Sequence, residues 1–168
     1  WVDNILDGSA EKERVVYNDE NEETGFVLVK DLKWDDQPQT LYLLAIARKR
    51  IGSIRDLNES HLPLLKNIRE NGCKAIEERY NIPSSQLKIF FHYQPSFYHL
   101  HVHFTSFAVE NAGAIIERGH FLTTVINNIE LVPDYYKKAV IPFRVPKYSS
   151  YEPYKIYLEQ KDSDQQES

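Results

Sequence analysis

The chain has 168 residues, 42% hydrophobic and 27% charged, a balance expected of one soluble globular domain. Its formal net charge of −5 argues against a non-specific binder of long nucleic acid, which needs a basic surface, yet allows a small phosphorylated ligand held by a few local cations. Cys73 is the single cysteine, so no internal disulfide can form, and no apolar run approaches the roughly 20 residues of a membrane-spanning helix.

In chain order, Val2–Leu6 reads as the end of a helix stopped by Asp7-Gly8. Glu13–Tyr17 and Phe26–Lys30 read as strands, joined through the acidic, turn-rich Asn18–Gly25. Leu41–Ala47 is an apolar run suited to a buried strand and is closed by Arg48-Lys49-Arg50. Ser60 is placed to cap a helix running to about Tyr80, with Leu65, Ile68, Gly72 and Ile76 at helical spacing and Pro63 in the first turn. Leu87–Tyr93 predicts the next strand, Gln94-Pro95-Ser96 breaks it, and Tyr98–Phe107 resumes it. A helix is expected over His120–Ile129, ending before Pro133. An edge strand is expected over Val140–Val145 and a short helix over Tyr154–Gln160. Residues 1–160 then form one domain, and Lys161–Ser168 a disordered polar tail. Adjacent strand pairs around one long helix predict an α+β fold, an antiparallel sheet with that helix packed on it.

Successive side chains of a strand point to opposite faces. On Tyr98–Phe107, Tyr98, Leu100, Val102 and Phe104 therefore form an apolar face, and His99, His101, His103 and Thr105 the other. His92 joins that second face if the two neighbouring strands pair. Three readings fit three imidazoles on one face. They can be a hydrogen-bonded or solvated polar face. They can share a metal ion, although no Asp, Glu or Cys alternates with them to complete a coordination shell. Or a neutral imidazole can attack phosphorus and be displaced by water, with its neighbours donating protons to phosphate oxygens.

The segment His99-Leu100-His101-Val102-His103-Phe104-Thr105 resembles the histidine-triad motif, with Thr105 in place of its last apolar residue. The wider sequence is similar to the catalytic domain of the scavenger mRNA decapping enzymes, hydrolases of the m7G cap. The resemblance is carried by His92-Tyr93-Gln94-Pro95-Ser96-Phe97-Tyr98, Trp1-Val2-Asp3-Asn4-Ile5-Leu6-Asp7, Gly25-Phe26-Val27-Leu28, Asp31-Leu32-Lys33-Trp34 and His61-Leu62-Pro63-Leu64-Leu65. It runs from about Trp1 to Val145 and covers that family's C-terminal domain but not its N-terminal one. The chain begins at Trp1 without Met, as a fragment would.

The resemblance implies a histidine-triad fold and a catalytic set of His101, the nucleophile, with His99 and His103 assisting. It implies that His92, Ser96, Lys33 and, less directly, Arg118 contact the phosphates, where cationic and neutral donors suit a triphosphate bridge. Trp1 would stack on the cationic methylguanine, Glu11 would accept hydrogen bonds from its edge, and Asp31 would meet the ribose or phosphate region. Taken without the family, Trp1 reads as a core residue, Glu11 as part of a solvated charge run, Asp31 as a turn residue and Arg118 as a solvated charge. Phe97 stands where the family often has tyrosine, which removes one hydroxyl from the phosphate neighbourhood. No metal and no cofactor are expected. The expected partners are a capped mononucleotide, cap dinucleotide or short capped RNA, without a membrane, and a second copy of the chain in a homodimer. The expected compartment is the cytoplasm or nucleus. A cap-binding regulator with little activity and another histidine-triad dinucleotide hydrolase are the competing readings.

Overall fold

Short β-branched and aromatic runs separated by turn residues pair here into a single sheet. In this computed structural model, residues 2–8, 12–109, 118–143 and 155 are described. The strands are β1 (Val15–Asn18), β2 (Phe26–Lys30), β3 (Tyr42–Ala47), β4 (Leu87–His92), β5 (His101–Ser106) and β6 (Gly119–Phe121). They lie in the order β1-β2-β3-β5-β4-β6, and every neighbouring pair is antiparallel. The helices are α1 (Val2–Leu6), α2 (Leu62–Tyr80), α3 (Leu122–Leu131) and α4 (Tyr135–Lys138). The α+β expectation, an antiparallel sheet with a long helix on it, holds.

Each face of the sheet carries its own apolar cluster. On one face Leu28, Leu43, Ala45, Val102 and Phe104 pack with Leu64, Leu65, Ile68 and Ile76 of α2 and with Leu122, Val125 and Ile129 of α3. On the other, Ile5 of α1 packs with Val27, Val29, Leu44 and Ile46. Arg48 anchors α1 there, donating to the Leu6 carbonyl at 2.9 Å and to the Asp19 carbonyl at 2.6 Å. Gly8 ends the helix in the left-handed region at φ 72°.

The helix α2 comes very close to β5 because position 72 has no side chain. A Cβ built on Gly72 would meet Phe104 Cζ at 2.7 Å, inside contact distance. Gly72→Val is therefore expected to lower stability by about 1–3 kcal/mol through overpacking, read as a lower urea midpoint.

Several element boundaries differ from the sequence reading, each for a local reason. Lys12–Arg14 forms a 3-10 turn, so the first strand opens at Val15 and not at Glu13. Ser60 does not cap α2: Asn58 Oδ1 accepts from the Ser60 N–H at 2.9 Å and caps a 3-10 turn over Glu59–His61 that leads into the helix. The third strand begins at Tyr42 rather than Leu41, and β4 ends at His92 rather than Tyr93. His120 is not helical. The free edge of β4 needs partners for its backbone groups, and Gly119–Phe121 supplies them, with His120 opposite Phe91. Residues 140–143 form no strand. The expected helix over Tyr154–Gln160, Lys155 apart, and the tail Lys161–Ser168 lie outside the described residues.

Candidate active site

The histidines are assembled by strand geometry. His101 and His103, two residues apart on β5, share a face, and their partners on β3 are Ile46 and Leu44. Phe90 of β4 lies opposite His103, and His92, two residues further along, shares that face. The His92 and His103 rings approach to 4.0 Å between centroids, and His101 and His103 to 5.1 Å. The expected pairing of the two strands does bring His92 to the triad.

His99 is not on the strand. The Leu100 N–H donates to the Ile51 carbonyl at 2.7 Å, and the Leu100 carbonyl accepts from Ala47 at 3.1 Å. These bonds pin the chain in a bend, and the ladder starts at His101. Tyr98 correspondingly leaves the apolar face and is half exposed, its hydroxyl on Gln94. His99 still belongs to the cluster, because it is buried and its ring reaches the Ala47 carbonyl at 2.6 Å. His99, His101 and His103 are all buried, so this face is not a solvated surface.

Hydrogen bonds fix the ring protons. A carbonyl oxygen only accepts, so His101 Nδ1 carries a proton and donates to the His99 carbonyl at 2.8 Å. In the neutral ring this leaves the lone pair on Nε2. His99 Nε2–H donates to Ala47 by the same logic. Phe97 stacks on His101, with centroids 4.0 Å apart and planes 12° from parallel. Phe97, which has no hydroxyl to offer, thus lies flat against the central imidazole.

Burial holds the pKa of His101 below the ordinary imidazole value. His103 is pushed down to about 2, first by burial and then by His92, His101 and Arg118 nearby. Both rings are neutral at neutral pH. The unfolded chain binds protons on these groups near pH 6.5 and the folded one does not. The stability that these two rings contribute is therefore complete at pH values well above about 6.5 and is lost progressively as pH drops through that value and below it. His103 alone is expected to contribute a slope approaching about 1.4 kcal/mol per pH unit there, measurable as urea midpoints between pH 7 and 5.

The other site residues of the sequence reading are placed unequally. Arg118, at the entrance to β6, donates to the Gln94 carbonyl at 2.9 Å and lies close enough to depress His103. Ser96 is exposed on the loop between β4 and β5. Asp31 follows β2, accepts from the Lys33 N–H at 2.8 Å and lies near the Tyr42 phenol; Lys33 is exposed beside it. Trp1 and Glu11 lie outside the described residues, although α1, which follows Trp1, packs on the histidine face. Sequence reasoning missed Tyr42, whose hydroxyl meets His103 Nδ1 at 3.0 Å. The available signal was a tyrosine at the edge of the apolar run Leu41–Ala47. Among the described residues, no three His, Cys, Asp or Glu side chains are grouped to hold a metal ion.

Residues 1–118 match the family model described as scavenger mRNA decapping enzyme C-term binding. The chain belongs to this scavenger decapping family. It is 48% identical over 145 residues to the m7GpppX diphosphatase of Bos taurus, covering 85% of the chain and 43% of the bovine protein. The corresponding identities are 47% for the Homo sapiens protein, of which 43% is covered, and 45% for that of Ascaris suum, of which 48% is covered. The chain thus spans less than half the length of these relatives. Among solved structures, Hnt3 in complex with DNA and guanosine superposes with a TM-score of 0.53 at 16% identity, over 97% of this chain and 94% of that one. At that identity the likeness speaks for the fold, which is histidine-triad-like.

Proposed function

We propose that the protein hydrolyses the triphosphate bridge of the m7G cap, on a capped mononucleotide, cap dinucleotide or short capped RNA, without a metal ion or cofactor. The observation that carries this is His101: a buried neutral imidazole whose Nδ1–H is committed to the His99 carbonyl, leaving Nε2 as a nucleophile. Nε2 attacks the phosphorus next to methylguanosine. An N–P bond forms, the P–O bond to the next phosphate breaks, and a nucleoside diphosphate leaves with the electron pair and is protonated. Water then attacks the same phosphorus, gives up its proton, and the N–P bond breaks to release m7GMP and restore the lone pair. The relatives named m7GpppX diphosphatase support this substrate class. So do the residue types expected at the base, where Trp1 stacks on a cationic ring and Glu11 pairs with its edge.

The test is incubation of methylated and unmethylated cap dinucleotide with the protein, with and without a chelator. Hydrolysis selective for the methylated cap and indifferent to chelator is expected. Equal rates on both would remove the cap from the reading, and tight binding without turnover would make the protein a cap-binding regulator.

The attacking ring must be neutral, and burial keeps His101 neutral below its ordinary range. The acid limb of kcat/KM is therefore expected below pH 6.5, with rate rising as pH rises through it and level at neutral pH. A limb centred above 6.5 would contradict that. The same reading makes the protein a homodimer of the cytosol or nucleus, and sedimentation equilibrium at twice the chain mass checks the first part.

A further inference from the structure

Tyr42 opens β3 opposite Thr105, one diagonal step from His103. Its hydroxyl lies 3.0 Å from His103 Nδ1, the only hydrogen bond of that hydroxyl among the described residues. The His103 ring is held besides by Phe90, stacked at 5.2 Å and 10°, and by His92. Its Nε2 is buried with no hydrogen-bond partner. A buried, unpartnered ring nitrogen on the face that carries His101 is an atom waiting for a ligand.

We propose that Tyr42 is a positioning residue: its hydroxyl donates to His103 Nδ1, fixes the proton on Nε2, and so makes His103 a neutral N–H donor to a phosphoryl oxygen of the substrate. The tautomer rests on the hydrogen bonding around the ring and is independent of the functional reading; the identity of the acceptor rests on the cap-hydrolase reading.

The direction of the hydrogen bond follows from which groups would otherwise go unpaired. The charged groups near the phenol, Asp31 and Arg118, act on it in opposite senses, and burial pushes its pKa up to about 12. The phenol therefore keeps its proton, and that proton needs an acceptor. A lone pair on Nδ1 provides one. The reverse arrangement, Nδ1–H donating to the phenol, leaves the phenolic proton without an acceptor among the described residues. It also turns the lone pair of Nε2 toward an incoming anion, which repels it. Two imidazoles two residues apart are thus held in opposite tautomers by different acceptors and donors. The His99 carbonyl makes His101 a nucleophile at Nε2, and the Tyr42 hydroxyl makes His103 a donor at Nε2.

The experiment is long-range proton–nitrogen NMR of the protein with labelled histidine, His103 being assigned through His103→Gln. In the unsubstituted protein His103 is expected as a single Nε2–H tautomer. In Tyr42→Phe it is expected to shift to a mixture or to Nδ1–H. With cap dinucleotide, kcat of Tyr42→Phe is expected to fall about three- to tenfold, the worth of one neutral hydrogen bond, with KM little changed. A proton on Nδ1 in the unsubstituted protein, which needs no variant to measure, overturns the proposal. So does a Tyr42→Phe protein with unaltered tautomer, or one with altered tautomer and unaltered kcat. If the protein does not cleave cap dinucleotide at all, the functional reading falls separately. Titration with inorganic phosphate then decides: a His103 Nε2 shift that is weakened in Tyr42→Phe upholds the donor role, and no shift overturns it.

Discussion

His101→Asn is expected to lower kcat on cap dinucleotide by about 10⁴-fold or more, the scale on which loss of a nucleophile acts. Asparagine is the informative replacement. Its amide can still donate to the His99 carbonyl, as Nδ1 does at 2.8 Å, so the bend before β5 keeps its hydrogen bond. What disappears is the lone pair at Nε2, and with it, on the proposed mechanism, the covalent step that splits the reaction in two. Binding should survive, because the phosphate contacts expected of Arg118 and His92 and the base contacts expected of Trp1 and Glu11 do not involve Nε2 of His101. A Kd for m7GDP within a few-fold of the parent, alongside lost turnover, is the expected pair of measurements. A nucleotidyl adduct trapped at alkaline pH in the parent and absent in the variant completes the case. Turnover within tenfold of the parent would move the nucleophile elsewhere, with His99 the next residue to test.

The parts of this site that were legible in the sequence are those set by local pattern. β2, most of β3 and α2 declare themselves by runs and spacing of apolar residues, and alternation alone puts His101 and His103 on one face. The parts that were not legible are set by distant backbone. His99 leaves the strand because Leu100 is tied to Ile51 and Ala47, about 50 residues upstream, and no local pattern encodes that tie. His120 sits before Leu122, Val125 and Ile129, whose helical spacing extends naturally back over it; the open edge of β4 claims it instead. Tyr42 meets His103 across 61 residues of sequence, through the register of β3 against β5. A triad motif therefore points to the proposed nucleophile, whereas the hydrogen-bond partners of its neighbours, Ala47 for His99 and Tyr42 for His103, are residues that the motif does not contain.

Phe104→Ala is expected to cost about 3–5 kcal/mol, the usual range for deleting a fully buried phenylalanine, and so to weaken the folding equilibrium at least a hundredfold. Phe104 lies between His103 and Thr105 in sequence and on the opposite face from them, with no exposed surface. Its ring fills the space beside Gly72, where α2 has no side chain with which to refill a cavity. The loss should appear as a lower urea midpoint at unchanged slope, and His103, carried by the same strand, should lose its fixed place against Phe90 and Tyr42. The pair Gly72 and Phe104 also allows a sharper test than either change alone. Gly72→Val is harmful because Phe104 occupies the space its side chain needs. In a Phe104→Ala background that space is empty, and the valine fills part of the hole. The double variant is therefore expected to be more stable than the sum of the single effects predicts, by about 0.5–3 kcal/mol. Strict additivity would mean that α2 and β5 are not in the close contact that holds the histidine strand in place.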